Sequence, residues 1–136
     1  MIDDSPIPSR KWHEEQFSPE SYSARVRHWH LETPVHDTTV SDADPVTVRC
    51  WALAADPQLQ SHLHMVLSVS GRTVSIPASE NRADVVQAIC KAEPEGNPQL
   101  RCGFMYSLPA AEAMAGFQIG FETDGLIHPA ARISVV

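Results

Sequence analysis

Apolar side chains return at every second position through several short runs of this chain, and each run stops at a turn. Leu63, Met65, Leu67 and Val69 share one side of such a run, with His62, His64, Val66 and Ser68 on the other. Val46, Val48, Cys50 and Ala52 oppose Thr47, Arg49, Trp51 and Leu53, while Phe117, Ile119 and Phe121 repeat the pattern. A period of two is the spacing of a pleated strand with one face buried. It constrains the fold strongly, because a row of such faces is stable only when a second layer covers it.

The runs fall over residues 24–32, 46–53, 62–69, 72–76, 102–108, 117–121 and 132–136. Turn chemistry separates them: Thr33-Pro34, Ala55-Asp56-Pro57, Ser70-Gly71 and Asp124-Gly125. Eleven prolines against six glycines favour many short elements over long helices. About seven strands with a turn every ~8–12 residues predict an all-β sandwich. One stretch changes period. Over residues 81–92, Asn81 reads as a cap, and Val85, Val86, Ile89 and Cys90 fall at helical spacing. A short helix or helical loop is expected there, ended before Pro94.

Residues 1–22 carry three prolines, several serines and many charges, with Trp12 and Phe17 as the only large apolar groups. Such a composition predicts a flexible arm that docks at most through Trp12 or Phe17, ahead of a sandwich domain over 23–136.

Composition then narrows the function. The net charge of −7, with no run of Lys or Arg, argues against nucleic acid as a partner. No stretch approaches the ~20 apolar residues of a membrane span. Met1-Ile2-Asp3-Asp4-Ser5-Pro6 has no apolar core of the kind a signal peptide needs. Cys50, Cys90 and Cys102 are odd in number and lack C-x-x-C spacing, so they read as reduced, small hydrophobes in a cytoplasmic protein. A G-x-S-x-G elbow and a Gly-rich phosphate loop are both missing. The paired carboxylates Asp3-Asp4 and Glu14-Glu15 lie in the arm, away from any rigid acid–base geometry. The sequence leans against an enzyme, and no cofactor is expected.

Histidines supply the enzymatic alternative. His28 and His30 lie on one face of a strand, as do His62 and His64, each pair ~6.5–7 Å apart along it. On neighbouring strands the four imidazoles would converge on one metal ion, as in a small metal-dependent hydrolase. The competing reading is a solvent-facing row of ordinary polar residues.

Several anchors recur in a fixed order: Cys50-Trp51-Ala52, Ser70-Gly71-Arg72, Arg82-Ala83-Asp84-Val85, Gly103-Phe104, and a late glycine at Gly116 or Gly125. Over residues 46–136 this order resembles an immunoglobulin-like accessory domain carried by bacterial glycosyltransferases and related surface-polysaccharide enzymes. Cys50 stands where that family's pattern has glycine. The resemblance implies an immunoglobulin-like antiparallel β-sandwich that acts as a non-catalytic module, binding a glycan or a partner enzyme in polysaccharide biosynthesis. Sugars stack on exposed aromatic faces, so Trp12 and Trp51, with Arg82 and Asp84, are the ligand-binding candidates. Trp29 offers a third ring of this kind, and because Trp29 and Trp51 both lie on strands, burial of at least one of them is expected. A scaffold role is the alternative for the loop residues: Arg82 pairing with Asp84, Glu80 or a backbone carbonyl, and Gly103 permitting a close approach. A protein partner on an exposed sheet edge, or self-association as a structural oligomerisation domain, are the remaining alternatives.

Overall fold

The computed structural model describes residues 10–41 and 43–136. Its strands are β1 (Trp12–Gln16), β2 (Val26–Thr33), β3 (Val46–Ala54), β4 (His64–Val69), β5 (Arg72–Pro77), β6 (Glu80–Asn81), β7 (Arg101–Leu108), β8 (Phe117–Glu122) and β9 (Ile127–Val135). They form two antiparallel sheets, ordered β1-β9-β8-β4-β5 and β2-β3-β7-β6. The chain crosses from one sheet to the other after β1, β3, β5 and β7. Consequently β3 neighbours β7 in one layer while β4 neighbours β8 in the other. This interlocking is the Greek key of an immunoglobulin-like sandwich: β2-β3-β7-β6 takes the ABED order, and β5-β4-β8-β9 takes C′CFG.

Alternation places the core between the layers. Val48, Cys50, Ala52 and Phe104 face inward from one sheet, and Met65, Leu67, Ile119, Phe121 and Ile133 from the other. Phe104 and Phe121 meet across the interior at 6.2 Å, and Trp29 packs edge-on against Phe121 at 5.7 Å. Fully buried large side chains such as Phe104 and Phe121 each stabilise the sandwich by ~1.5–3 kcal/mol. Cys50 points into this core with its Sγ 3.4 Å from Met65 Sδ, so a side chain is well accommodated at that position.

The structure revises the sequence reading at four places. Trp12–Gln16, expected within a flexible arm over 1–22, is an edge strand paired to β9 from Trp12↔Val135 to Gln16↔Ala131. Trp12 is only 5% exposed and lies edge-on against Phe117 at 6.4 Å, so one aromatic anchor and a full ladder order this segment. Residues 1–9 of the expected arm lie outside the described residues. Residues 57–62, read partly as a turn and partly as strand, form a 3-10 helix over Pro57–His62, capped by the Asp56 carboxylate accepting from the Gln58 N–H. The short helical stretch stands where it is expected, as a single turn at Ala83–Val85 widening into a π-helix over Val86–Cys90, but Asn81 belongs to β6 and Arg82 takes the cap position. Finally, β9 begins at Ile127 and tolerates Pro129, because the β8–β9 register shifts beside it.

One local device extends β3. Its pairing with β7 ends at Trp51↔Gly103, and buried amides take over beyond that point. Gln60 accepts from the Ala54 N–H at 2.8 Å and donates to the Ala52 carbonyl at 2.9 Å, as a neighbouring strand would. Gln99 donates to the Ala54 carbonyl and to Gln60 Oε1, both at 3.0 Å. Among the described residues no helix is long and apolar enough to cross a membrane.

Candidate functional site

The outer face of the four-stranded sheet gathers Trp51, Arg82, Asp84 and Gly103 from among the anchors singled out in the sequence. His30, Trp51, Gly103 and Glu80 form one cross-strand row, through His30↔Trp51, Trp51↔Gly103 and Glu80↔Gly103. His30 and Trp51 rings lie 6.2 Å apart and tilted by 43°. Arg49↔Met105 sits one step further along, also facing out.

Gly103 makes this row possible. A Cβ there would lie 2.7 Å from Glu80 Cβ and 3.1 Å from Arg82 Cγ. The Arg82 stem therefore occupies the space that a side chain at 103 would take. Arg82 enters from the loop after β6, where its N–H bonds the Leu100 carbonyl at 2.8 Å.

Its guanidinium binds two carboxylates at once. Nε and Nη2 donate to Asp84 at 3.0 and 2.9 Å, while Nη1 and Nη2 donate to Glu32, the Nη2 bond at 3.1 Å. Arg49 makes a parallel fork to Glu80, with both bonds at 3.0 Å, and its Nε lies 3.9 Å from Glu32. Bidentate pairing of this kind fixes orientation as well as charge. Three carboxylates and two guanidiniums thus form one connected lattice across β2, β3, β6 and the helical turn.

Hydrogen bonds set the protonation of the lattice. Asp84, then Glu32, raise Arg82 above the ordinary guanidinium value. The Arg49 fork holds the Glu80 carboxyl below its usual range, and Arg82 does the same for Asp84. The charged forms of Arg82, Glu80 and Asp84 are favoured in this way, so they present fixed hydrogen-bond donors and acceptors. At the rim, Leu53, Val85 and Cys102 pack beneath the helical stretch, with Trp51 and Cys90 half-buried against them. Burial pushes the Cys102 thiol up to about 11 and raises Cys50 further, which leaves both as inert packing groups.

The remaining candidates are distributed elsewhere. Trp12 belongs to the other sheet and is buried, so it does not join Trp51, Arg82 and Asp84. His28 and His30 are exposed on the outside of β2. His62 ends the 3-10 helix, and His64 lies on β4 of the opposite sheet with Nδ1 2.9 Å from Ser75 Oγ. The crossing after β3 separates the two histidine pairs, and the described residues include no group of three or more His, Cys, Asp or Glu side chains placed to hold a metal ion. A groove of about 170 Å³ on the five-stranded sheet, lined by Ser68, Gly116, Phe117, Gln118 and Arg132, contains the late-glycine anchor Gly116 but none of the ligand-binding or metal candidates.

Sequence reasoning named Arg82, Asp84 and Glu80 but not Glu32 or Arg49. The available signal was their outward position on alternating strands, next to His30 and Trp51. Joining them required the β2–β3 register, which shifts between Leu31 and Thr33. Compared with known proteins, the chain matches no family model, no curated protein and no solved structure.

Proposed function

We propose that this chain is a non-catalytic binding module that recognises a glycan on the outer face of its four-stranded sheet, working beside an enzyme of surface-polysaccharide assembly. One observation carries the reading: the half-buried Trp51 indole, paired with His30, borders a lattice whose charged groups are held by two-pronged hydrogen bonds. An aromatic platform beside rigid, charged groups suits a polyhydroxylated ligand. The ring stacks on a sugar face while carboxylate and guanidinium edges read its hydroxyls. Groups locked in this way lose little further freedom on binding. Four residues of the set that carries the resemblance, Trp51, Arg82, Asp84 and Gly103, meet in this one place, while Ser70-Gly71-Arg72 and Gly116 lie with the other sheet; the meeting supports a shared role for those four. The module works in the reducing cytoplasm, where its three free thiols remain reduced.

A glycan array carrying bacterial surface-polysaccharide fragments tests the proposal. Binding by the full chain is expected, with a loss of tenfold or more in Trp51→Leu that retains wild-type circular dichroism. A blank array, or binding indifferent to Trp51, overturns it and leaves the same face to a protein partner.

A further inference from the structure

The outer edge of β1 is not free, and its covering contains a titratable link. Residues 35–40 run alongside the edge: the Trp12 N–H bonds the Thr38 carbonyl at 3.0 Å, the Asp37 N–H bonds the Trp12 carbonyl at 2.7 Å, and the Val40 N–H bonds the Arg10 carbonyl at 2.9 Å. Lys11 and Thr39 add an antiparallel bridge. The next outward donor along the edge, the Glu14 N–H, meets no carbonyl. It donates to Nδ1 of His36 at 3.0 Å, so an imidazole stands where a strand partner would be.

An imidazole nitrogen accepts a hydrogen bond only while it carries no proton. This geometry therefore requires a neutral His36 with its proton on Nε2. Acidification adds a proton to Nδ1 and turns the contact into two facing donors. From these contacts we infer that His36 is a proton-sensitive latch, closed while its ring is neutral and released when Nδ1 takes a proton, which holds residues 35–40 against the β1 edge.

The surrounding charges act in both directions. From β1, the His13 ring lies 5.2 Å from His36 and repels a second positive charge once both rings are protonated. Lys11 adds the same sign, though it pairs with Asp37 at 3.7 Å. The Glu14 carboxylate, held by the Gln16 amide at 2.6 Å, and Asp37 within the covering segment both attract a charged ring. Behind β1, Arg132 of β9 faces Glu15 one row away. Attraction and repulsion oppose each other here, and the bond from the Glu14 N–H is made only to the neutral ring. Release uncovers the outward N–H groups of an edge strand, the type of surface that pairs with other chains. The latch lies on the sheet opposite the proposed recognition face, so the two readings stand or fall separately.

Site-resolved amide exchange by NMR, corrected for the intrinsic pH dependence of exchange, tests the latch between pH 7.5 and 5. Protection at Glu14 and Asp37 is expected to fall about fivefold on acidification, the equivalent of one ordinary hydrogen bond. Protection at Ile119 in the core is expected to hold. His36→Asn, whose Oδ1 takes the place of Nδ1 without titrating, should keep its protection across the range. The ring nitrogens of wild-type His36 should report the Nε2–H form at pH 7.5. Unchanged protection in the wild type, an equal fall in His36→Asn, or the Nδ1–H form overturns the inference.

Discussion

Replacing Arg82 by Met removes the guanidinium at the centre of the lattice while keeping an unbranched stem to fill the space above Gly103. The Arg82 side chain is 10% exposed and Glu32 26%, so their two hydrogen bonds are largely shielded from water. Hydrogen bonds to charged groups contribute ~1.5–3 kcal/mol in such settings. Asp84 is 67% exposed, and its share is limited to the ~0–1 kcal/mol of a surface pair. The variant should therefore lose about 2–4 kcal/mol, with Glu32 left half-buried beside Arg49 alone. Urea denaturation followed by tryptophan fluorescence should show a midpoint lowered by roughly 1–2 M at unchanged slope. Acid supplies a second signature. The Asp84 carboxyl is held below its ordinary value by Arg82, and such a group stabilises the fold fully above the unfolded carboxylate range, ~4, losing that contribution as pH falls through the lowered value. The stability gap between wild type and Arg82→Met should then narrow from pH 7 to pH 3. A cost below about 0.5 kcal/mol, the ordinary scatter of surface substitutions, or a gap independent of pH, would refute the reasoning.

Two further substitutions probe the supports of the same face. Gln60→Leu strips the Ala54 N–H and the Ala52 carbonyl of their partners in a buried setting, and should cost about 2–4 kcal/mol in the same urea assay. A loss no larger than that of an exposed glutamine would show that the amide does not serve as a surrogate strand. Gly103→Ala places a methyl 2.7 Å from Glu80 Cβ, and should destabilise by about 1–3 kcal/mol while displacing Arg82. Wild-type stability and unshifted Arg82 resonances would contradict the close approach.

The layers of this fold were readable because a period of two survives in any register. Leu63, Met65, Leu67, Phe117, Ile119 and Phe121 announce a buried face without reference to their partners, and the core forms from them. Strand β1 was hidden by its composition, since Trp12 is its only large apolar residue and its order comes from the ladder to β9. The two-residue β6 is too short to carry any period, and its position depends on Gly103 across the sheet. Among the site residues, Arg82 and Asp84 stood close enough in sequence for their pairing to be expected. Glu32 lies fifty positions from Arg82, and only the crossing of strands brings them together. The same topology separates the histidine pairs, which local spacing alone had left free to meet.

A titration of isotope-labelled protein with an array-selected oligosaccharide, followed by proton–nitrogen correlation spectra, tests the recognition face most directly. The account predicts shifts concentrated at His30, Trp51, Gly103, Met105 and the Arg82 guanidinium, with the five-stranded sheet undisturbed. Shifts centred on Ser68, Gln118 and Arg132 instead, or none at saturating ligand, would contradict it.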